Sequence, residues 1–573
     1  MRNGLARAVS AAAAVGLIAL AVVAGTAGVG SAGMPLSTAG WSSHLTGDQV
    51  RVLSANPDQR VIVLLRNQHA GLTGRGAAAR KAEAFAADRA PILAQLRQLH
   101  VPRLVTYHTL NAIATTVSSA EAANLRRDPA VLAVDPDVVV KGPSSNADLL
   151  PGGMGASSSS RAVRTSAAAS SSKVCGTASA PLLEPEALHL INADNRTNAD
   201  SPITSGPKSA HSLGYTGAGV KVAVFPDGMD PNLPDFQRNG ASAISDYRDF
   251  SGEGLNAPTG GGEAFGDVSS IVSQGQTTYN LNQQINPEFA TPGGTCDVKV
   301  LGVAPGADVD VMKVFGTNNV SFTSAILQGI DWAIHQDHAD ILSISIGFFG
   351  VPTSAALQPL TAILQNAMAA GTTVVASTGD SSPSSTESSP ALDPGVIGAA
   401  ASTSYRIFAQ TNFFLYDLAE AIHNKAKPSY RLGQSTPGWL SNQVSTLSSS
   451  GVTEDRRMPD VIAPGDLNWA NCSTDISTYT DCENANGGSS IGLEGFGGTS
   501  ESAPLTAGVA ALVIEAYRKA HGNKSPTPDI VRQIIFSSAK DIGITAENQG
   551  AGLLNALGAV ELARSYGKHE KYG

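Results

Sequence analysis

The chain has 573 residues, of which 42% are hydrophobic, 15% charged and 5% aromatic. That mixture excludes a wholly disordered or collagen-like chain, and the length supports two or three domains with a full-sized core. With 38 basic and 48 acidic side chains the net charge is -10, which argues against nucleic acid as the main partner.

Met1 to Arg7 carries two arginines, Ala8 to Val23 is apolar without a charge, and Gly30-Ser31-Ala32 offers a small-residue cleavage point. Residues 1–32 therefore read as a secretory signal peptide, the apolar run being too short and alanine-rich for an anchor. A secreted, extracellular protein free of the membrane is expected once that segment is removed. Export also permits disulfides. Cys472 and Cys482 flank a short polar loop and are predicted to pair, leaving Cys175 with Cys296; free thiols are the alternative.

Residues 33–143 predict a small α+β unit. Arg60–Leu65 reads as a buried strand, and Ala77–Leu99 as a helix with Ile92, Leu93, Leu96 and Leu99 on one face. Leu104–Val117 reads as two strands around Asn111, Ser119–Leu125 as a serine-capped helix, and Val131–Val140 as a last strand. The order βαββαβ is a ferredoxin-like plan. Residues 144–174 are rich in serine, alanine and glycine and read as a linker, with Arg161, Arg164 and Lys173 as points of cleavage.

From residue 175 to 573 strands and helices alternate. Strands are expected at Val220–Phe225, Ala307–Phe315, Ala339–Ile346 and Thr372–Ser377, with helices at Ser324–His338 and Ala355–Ala370. This pattern predicts an α/β fold, a parallel sheet with helices on both faces. In such sheets the site lies beyond the carboxyl ends of the strands.

Gly498-Thr499-Ser500-Glu501-Ser502-Ala503-Pro504 opens a small-residue helix, where free N–H groups favour a developing negative charge on Ser500. The segment resembles the nucleophile motif of the subtilisin-like peptidases. Gly214–Val224, Gly302–Ala307, Ser345–Gly347, Pro459–Gly465 and Gly550–Ala556 resemble other segments of that family in the same order. The resemblance spans residues 210 to 565 and implies a subtilisin-like fold. Arg60–Val140 resembles the inhibitory propeptide of the same enzymes, so the chain's own N-terminal unit is expected as its intramolecular inhibitor.

The usual partners of that serine are missing. Pro226-Asp227-Gly228 stands where the family has its Asp, and no His-Gly-Thr-His motif occurs. His335 and His338 read as packing or surface histidines. At the histidine position stands Glu263-Ala-Phe-Gly-Asp267, and Val374–Ser377 leads into Thr378-Gly379-Asp380-Ser381. Both resemble the sedolisins, serine-carboxyl peptidases built on the same fold. The resemblance implies Ser500 as nucleophile, Glu263 as base, Asp267 as its partner and Asp380 as oxyanion donor. It also implies a protein or peptide substrate whose backbone pairs along Ser345, Ile346 and Gly347. Two carboxyls one helical turn apart resist joint ionisation, which raises the pKa of a base. Activity at acidic pH follows.

The chain departs from sedolisins in its smaller propeptide-like unit, in Gly266 where leucine is common, and in lacking their recognisable C-terminal calcium segment. The chemistry needs no cofactor, and structural calcium is left without an assignable site. A monomer is expected. The competing reading is a catalytically silent, secreted binding protein on a subtilase fold.

Overall fold

Strand β1 (Gln59–Leu65) has apolar side chains on both faces, and the fold uses both. In the computed structural model, which describes residues 45–142, 175–197, 208–283, 295–348, 357–411, 441–453, 457–484 and 488–567, it is a central strand. Val61, Val63 and Leu65 pack with Ile92 and Leu96 of α1 (Ala78–Gln98) and Leu125 of α2 (Ser119–Leu125). With β2 (Leu104–Thr106), β3 (Ala112–Val117) and β4 (Val131–Pro136), β1 forms an antiparallel sheet in the order β2-β3-β1-β4. Helix α2 begins as its serine predicts, the Ser118 hydroxyl accepting from Glu121 N–H at 3.0 Å.

The strand expected over residues 131–140 divides in two. Past Pro136 the chain leaves the sheet, and β5 (Val139–Lys141) pairs antiparallel with β9 (Val320–Phe322). The reason lies in Asp137, whose carboxylate accepts from Ser324 N–H (2.8 Å) and Ser324 Oγ (2.7 Å). Ser324 is in the first turn of α4 (Thr323–His335), where free N–H groups attract an anion. Arg60 (2.9 Å) and Arg103 (3.3 Å) pair with the same carboxylate. Asp331 of α4 likewise accepts the backbone N–H groups of His108 (2.9 Å) and Thr109 (2.6 Å). On the second face of β1, Ile62 and Leu64 share an apolar cluster with Ile326 and Ile330 of α4 and with Ile363 and Leu364 of α5 (Gln358–Ala370). A strand so covered reads as one apolar run, which is why its sequence shows no alternation.

The larger sheet has seven parallel strands. They are β6 (Lys221–Val224), β7 (Ile244–Asp249), β8 (Asp308–Lys313), β10 (Ile341–Ile344), β11 (Thr373–Ser377), β12 (Ile397–Ala401) and β13 (Val461–Ala463), in the order β7-β8-β6-β10-β11-β12-β13. Alternation along β6 sends Val222 and Val224 to one core and Ala223 and Phe225 to the other, so both faces are covered. On the Val222 face lie α3 (Gly262–Val272) and the long α6 (Thr499–Ala520). Helix α6 follows a hairpin of β14 (Leu467–Asn471) and β15 (Leu493–Gly497).

Two disulfides are present, Cys175–Cys296 and Cys472–Cys482, as the cysteine spacing predicts. The proposed signal segment and the linker at 144–174 lie outside the described residues.

Candidate active site

Three strand ends and two helix starts converge. Asp227 follows β6, Ser345 follows β10 and Asp380 follows β11, while Glu263 and Ser500 sit in the first turns of α3 and α6. Helix α3 has glycine at its cap position, Gly261, which supplies no side-chain bond. Asp227 supplies it instead, accepting from the backbone N–H groups of Gly261 and of Ala264 (3.2 Å). This acid therefore orients the helix that carries Glu263. Burial is the main cause of its pKa rising to about 6, with Asp481 adding to it and the two N–H bonds opposing.

Glu263 and Asp267 lie one turn apart on α3. Ser500 is a neighbour of Glu263 and acts on its carboxyl so as to favour the charged form. Burial drives the pKa of Glu263 well above the usual range, and Asp267, Asp227 and Asp380 push it further. Asp267 is 1% exposed, and burial lifts it in the same direction against an opposing bond from Ser345. The Ser345 hydroxyl lies 2.8 Å from Asp267 Oδ1 and 3.1 Å from the Ser500 carbonyl, so it bridges the two helices. Two interacting acids of this kind resist joint ionisation.

Helix α3 can approach this closely because Gly266 has no side chain. A Cβ there would collide with the ring of Phe496 on β15. That contact explains the departure from leucine noted at this position. Gly498, with φ of +83°, brings its backbone against the Asp380 carboxylate, and a Cβ would collide with it. Asp380 Oδ1 accepts from Thr499 N–H (2.8 Å) and Thr499 Oγ1 (2.9 Å), and Thr499 Oγ1 accepts from Gly379 N–H (2.9 Å). Asp380 stays accessible at the rim, yet the surrounding protein raises its pKa by desolvation, with the Thr499 bonds opposing.

Of the segment read as substrate-binding, Ser345 and Ile346 are buried and Gly347 is exposed. The backbone of the next residue, Phe348, is engaged by Ser389 (2.7 and 3.1 Å). The Ser345 side chain is bonded to Asp267 of the carboxyl pair.

His211 and His335 are engaged away from Ser500. His211 pairs with Asp194 (2.8 Å), but its other ring nitrogen meets the Val303 carbonyl (2.8 Å), so both nitrogens are taken. His335 stacks on His108 with ring centroids 4.0 Å apart. Among the described residues one group of three acids, histidines or cysteines has convergent ligand atoms, namely Cys472, Cys482 and Glu494. Its two sulfurs form a disulfide, so it does not fit a metal.

Residues 217–559 match the subtilase family, and the chain belongs to that family. Subtilisin E of Bacillus subtilis (strain 168) is 27% identical over 359 residues, covering 61% of this chain and 68% of that protein. Subtilisin of Bacillus pumilus is also 27% identical over 359 residues, covering 61% and 94% of the two chains. Minor extracellular protease Vpr of Bacillus subtilis is 30% identical over 186 residues, or 32% of this chain and 20% of that protein. The protein is a serine-type peptidase of the subtilisin-like fold, acting on peptide bonds.

Proposed function

We propose that this peptidase works by serine-carboxyl chemistry at acidic pH, with Ser500 as nucleophile and Glu263 in place of histidine. The observation that carries the reading is Ser500 set beside a glutamate whose proton affinity is raised by burial and by Asp267. An ordinary glutamate is too weak a base to activate a serine near neutrality; one raised in pKa is matched to the task.

Glu263 takes the Ser500 proton as its oxygen attacks the scissile carbonyl, and returns it to the leaving amine. Asp267, held by Ser345, shares the proton of the pair and fixes the Glu263 carboxyl. The Ser500 N–H, at a helix start, and a protonated Asp380 donate to the developing oxyanion. The substrate backbone runs past Gly347, exposed at the end of β10.

The N-terminal unit acts as an inhibitory propeptide. Supporting this are its apolar face against α4 and α5, the Asp137 cap on α4, and the strand β5 laid along β9. Secretion is supported by the charged and apolar pattern of residues 1–32. The extracellular relative agrees with it. No helix among the described residues is long and apolar enough to cross a membrane.

Casein hydrolysis by processed protein at several pH values, with Ser500→Ala as control, tests the proposal. Activity at acidic pH that Ser500→Ala abolishes is expected. Intact, folded protein with no Ser500-dependent cleavage at any pH would favour the silent binding protein instead.

A further inference from the structure

Glu501, next to the nucleophile, takes no part in the chemistry described so far. It is 1% exposed, and it reaches from α6 toward α3. Its Oε2 lies 2.7 Å from Ser270 Oγ, and its Oε1 accepts from Asn468 Nδ2 of β14 at 3.3 Å. Asn468 cannot be turned round at no cost, because Nδ2 also donates to the Pro464 carbonyl at 2.8 Å.

Proton counting constrains the state of this carboxyl. Ser270 Oγ lies 2.7 Å from Glu501 Oε2 and 2.7 Å from the Gly266 carbonyl one turn earlier in α3. A hydroxyl has one proton to give, and a carbonyl oxygen can only accept. If Ser270 donates to Gly266, the short contact to Glu501 needs a proton on the carboxyl. Asp267 from α3 raises the proton affinity of Glu501, and Glu501 in turn raises that of Glu494 on β15; both neighbours are acids, and neither would stabilise a charge there. Burial, the largest cause, pushes Glu501 well up in the same direction, with the Ser270 and Asn468 contacts opposing.

We propose that Glu501 is a neutral carboxylic acid in the working enzyme, a positioning residue that donates to Ser270 and so fastens the Glu263 helix to the Ser500 helix. The positioning role rests on the serine-carboxyl reading; the protonation state does not. Gly266 and Ser270 flank Asp267 on α3, so a clamp at this point sets the register of Glu263 against Ser500. A small error in that spacing is costly, since a misplacement of about 1 Å can lower turnover about 10²-fold.

The linkage has a definite sign. A buried acid with a raised folded pKa binds more protons folded than unfolded, so its contribution to stability falls as pH rises above about 4.3, the ordinary glutamate value. Glu501→Gln removes that loss while keeping both bonds, its amide N–H donating to Ser270 and its oxygen accepting from Asn468. Thermal midpoints of wild type and Glu501→Gln between pH 4 and 7 are one arm of the test. The variant should melt higher, by a margin that widens toward pH 7. Melting below wild type at pH 7, with the gap closing at pH 4, would mark an ionised Glu501 and overturn the proposal.

Turnover of Glu501→Leu and Glu501→Gln is the other arm. A fall in kcat of about 10- to 100-fold with KM little changed is expected for leucine, and recovery of most of it for glutamine. Unchanged kcat in Glu501→Leu would end the positioning role. The melting arm needs no turnover, so it stands even if Glu263 proves not to be the base.

Discussion

Glu263→Gln should lower kcat on a peptide substrate by on the order of 10²–10⁴, the usual worth of a positioned general base. Glutamine matches the size and keeps a hydrogen bond to Ser500, but it cannot accept the serine proton. It also ends the sharing of a proton with Asp267, so the residual activity should lose the pH dependence that the pair confers. KM should move little, because Glu263 acts on the nucleophile. Steady-state kinetics at acidic pH, with near-ultraviolet circular dichroism to confirm folding, check this outcome. Activity close to wild type would remove Glu263 from the chemistry.

At Asp380 two substitutions should give opposite results. Both donors from Thr499 fall on Oδ1, at 2.8 and 2.9 Å, which leaves Oδ2 to carry the proton offered to the oxyanion. Asp380→Ala loses that donor and should cost about 10²–10³ in kcat. Asp380→Asn can place its oxygen toward Thr499 and its amide toward the oxyanion, a donor at every pH. It should keep most of the activity and extend it toward neutrality. A loss in Asp380→Asn as deep as in Asp380→Ala would show that the carboxyl itself is required.

The residues that give the site its identity were legible because each lies in a local motif. Ser500 opens a small-residue helix, Glu263 and Asp267 are spaced one turn apart, and Asp380 follows a short apolar strand. The N-terminal sheet was legible for the same reason, its strands and helices each having a pattern of its own. What holds the site in place was not. The Ser345–Asp267 bond joins residues 78 apart, and the Ser270–Glu501 bond residues 231 apart. No periodicity or spacing encodes such a contact. Asp227 read as an acid beside a vacant triad position, and its capping of α3 depends on how β6 meets that helix. The break at Asp137 was signalled locally, since Asp135-Pro136-Asp137 interrupts the apolar run of residues 131–140, but the partner that draws it out of the sheet, Ser324, is 187 residues away.

The pH dependence of kcat/KM for the processed enzyme tests the central claim most directly. Glu263, Asp267 and Asp380 all have pKa values raised chiefly by desolvation. Loss of the first proton from the carboxyl pair should open activity on the acid side, and loss of the Asp380 proton should close it as pH rises. A bell with its maximum below pH 6 and a decline toward neutrality is the expected result. A neutral or alkaline maximum that Glu263→Gln leaves unmoved would contradict the account.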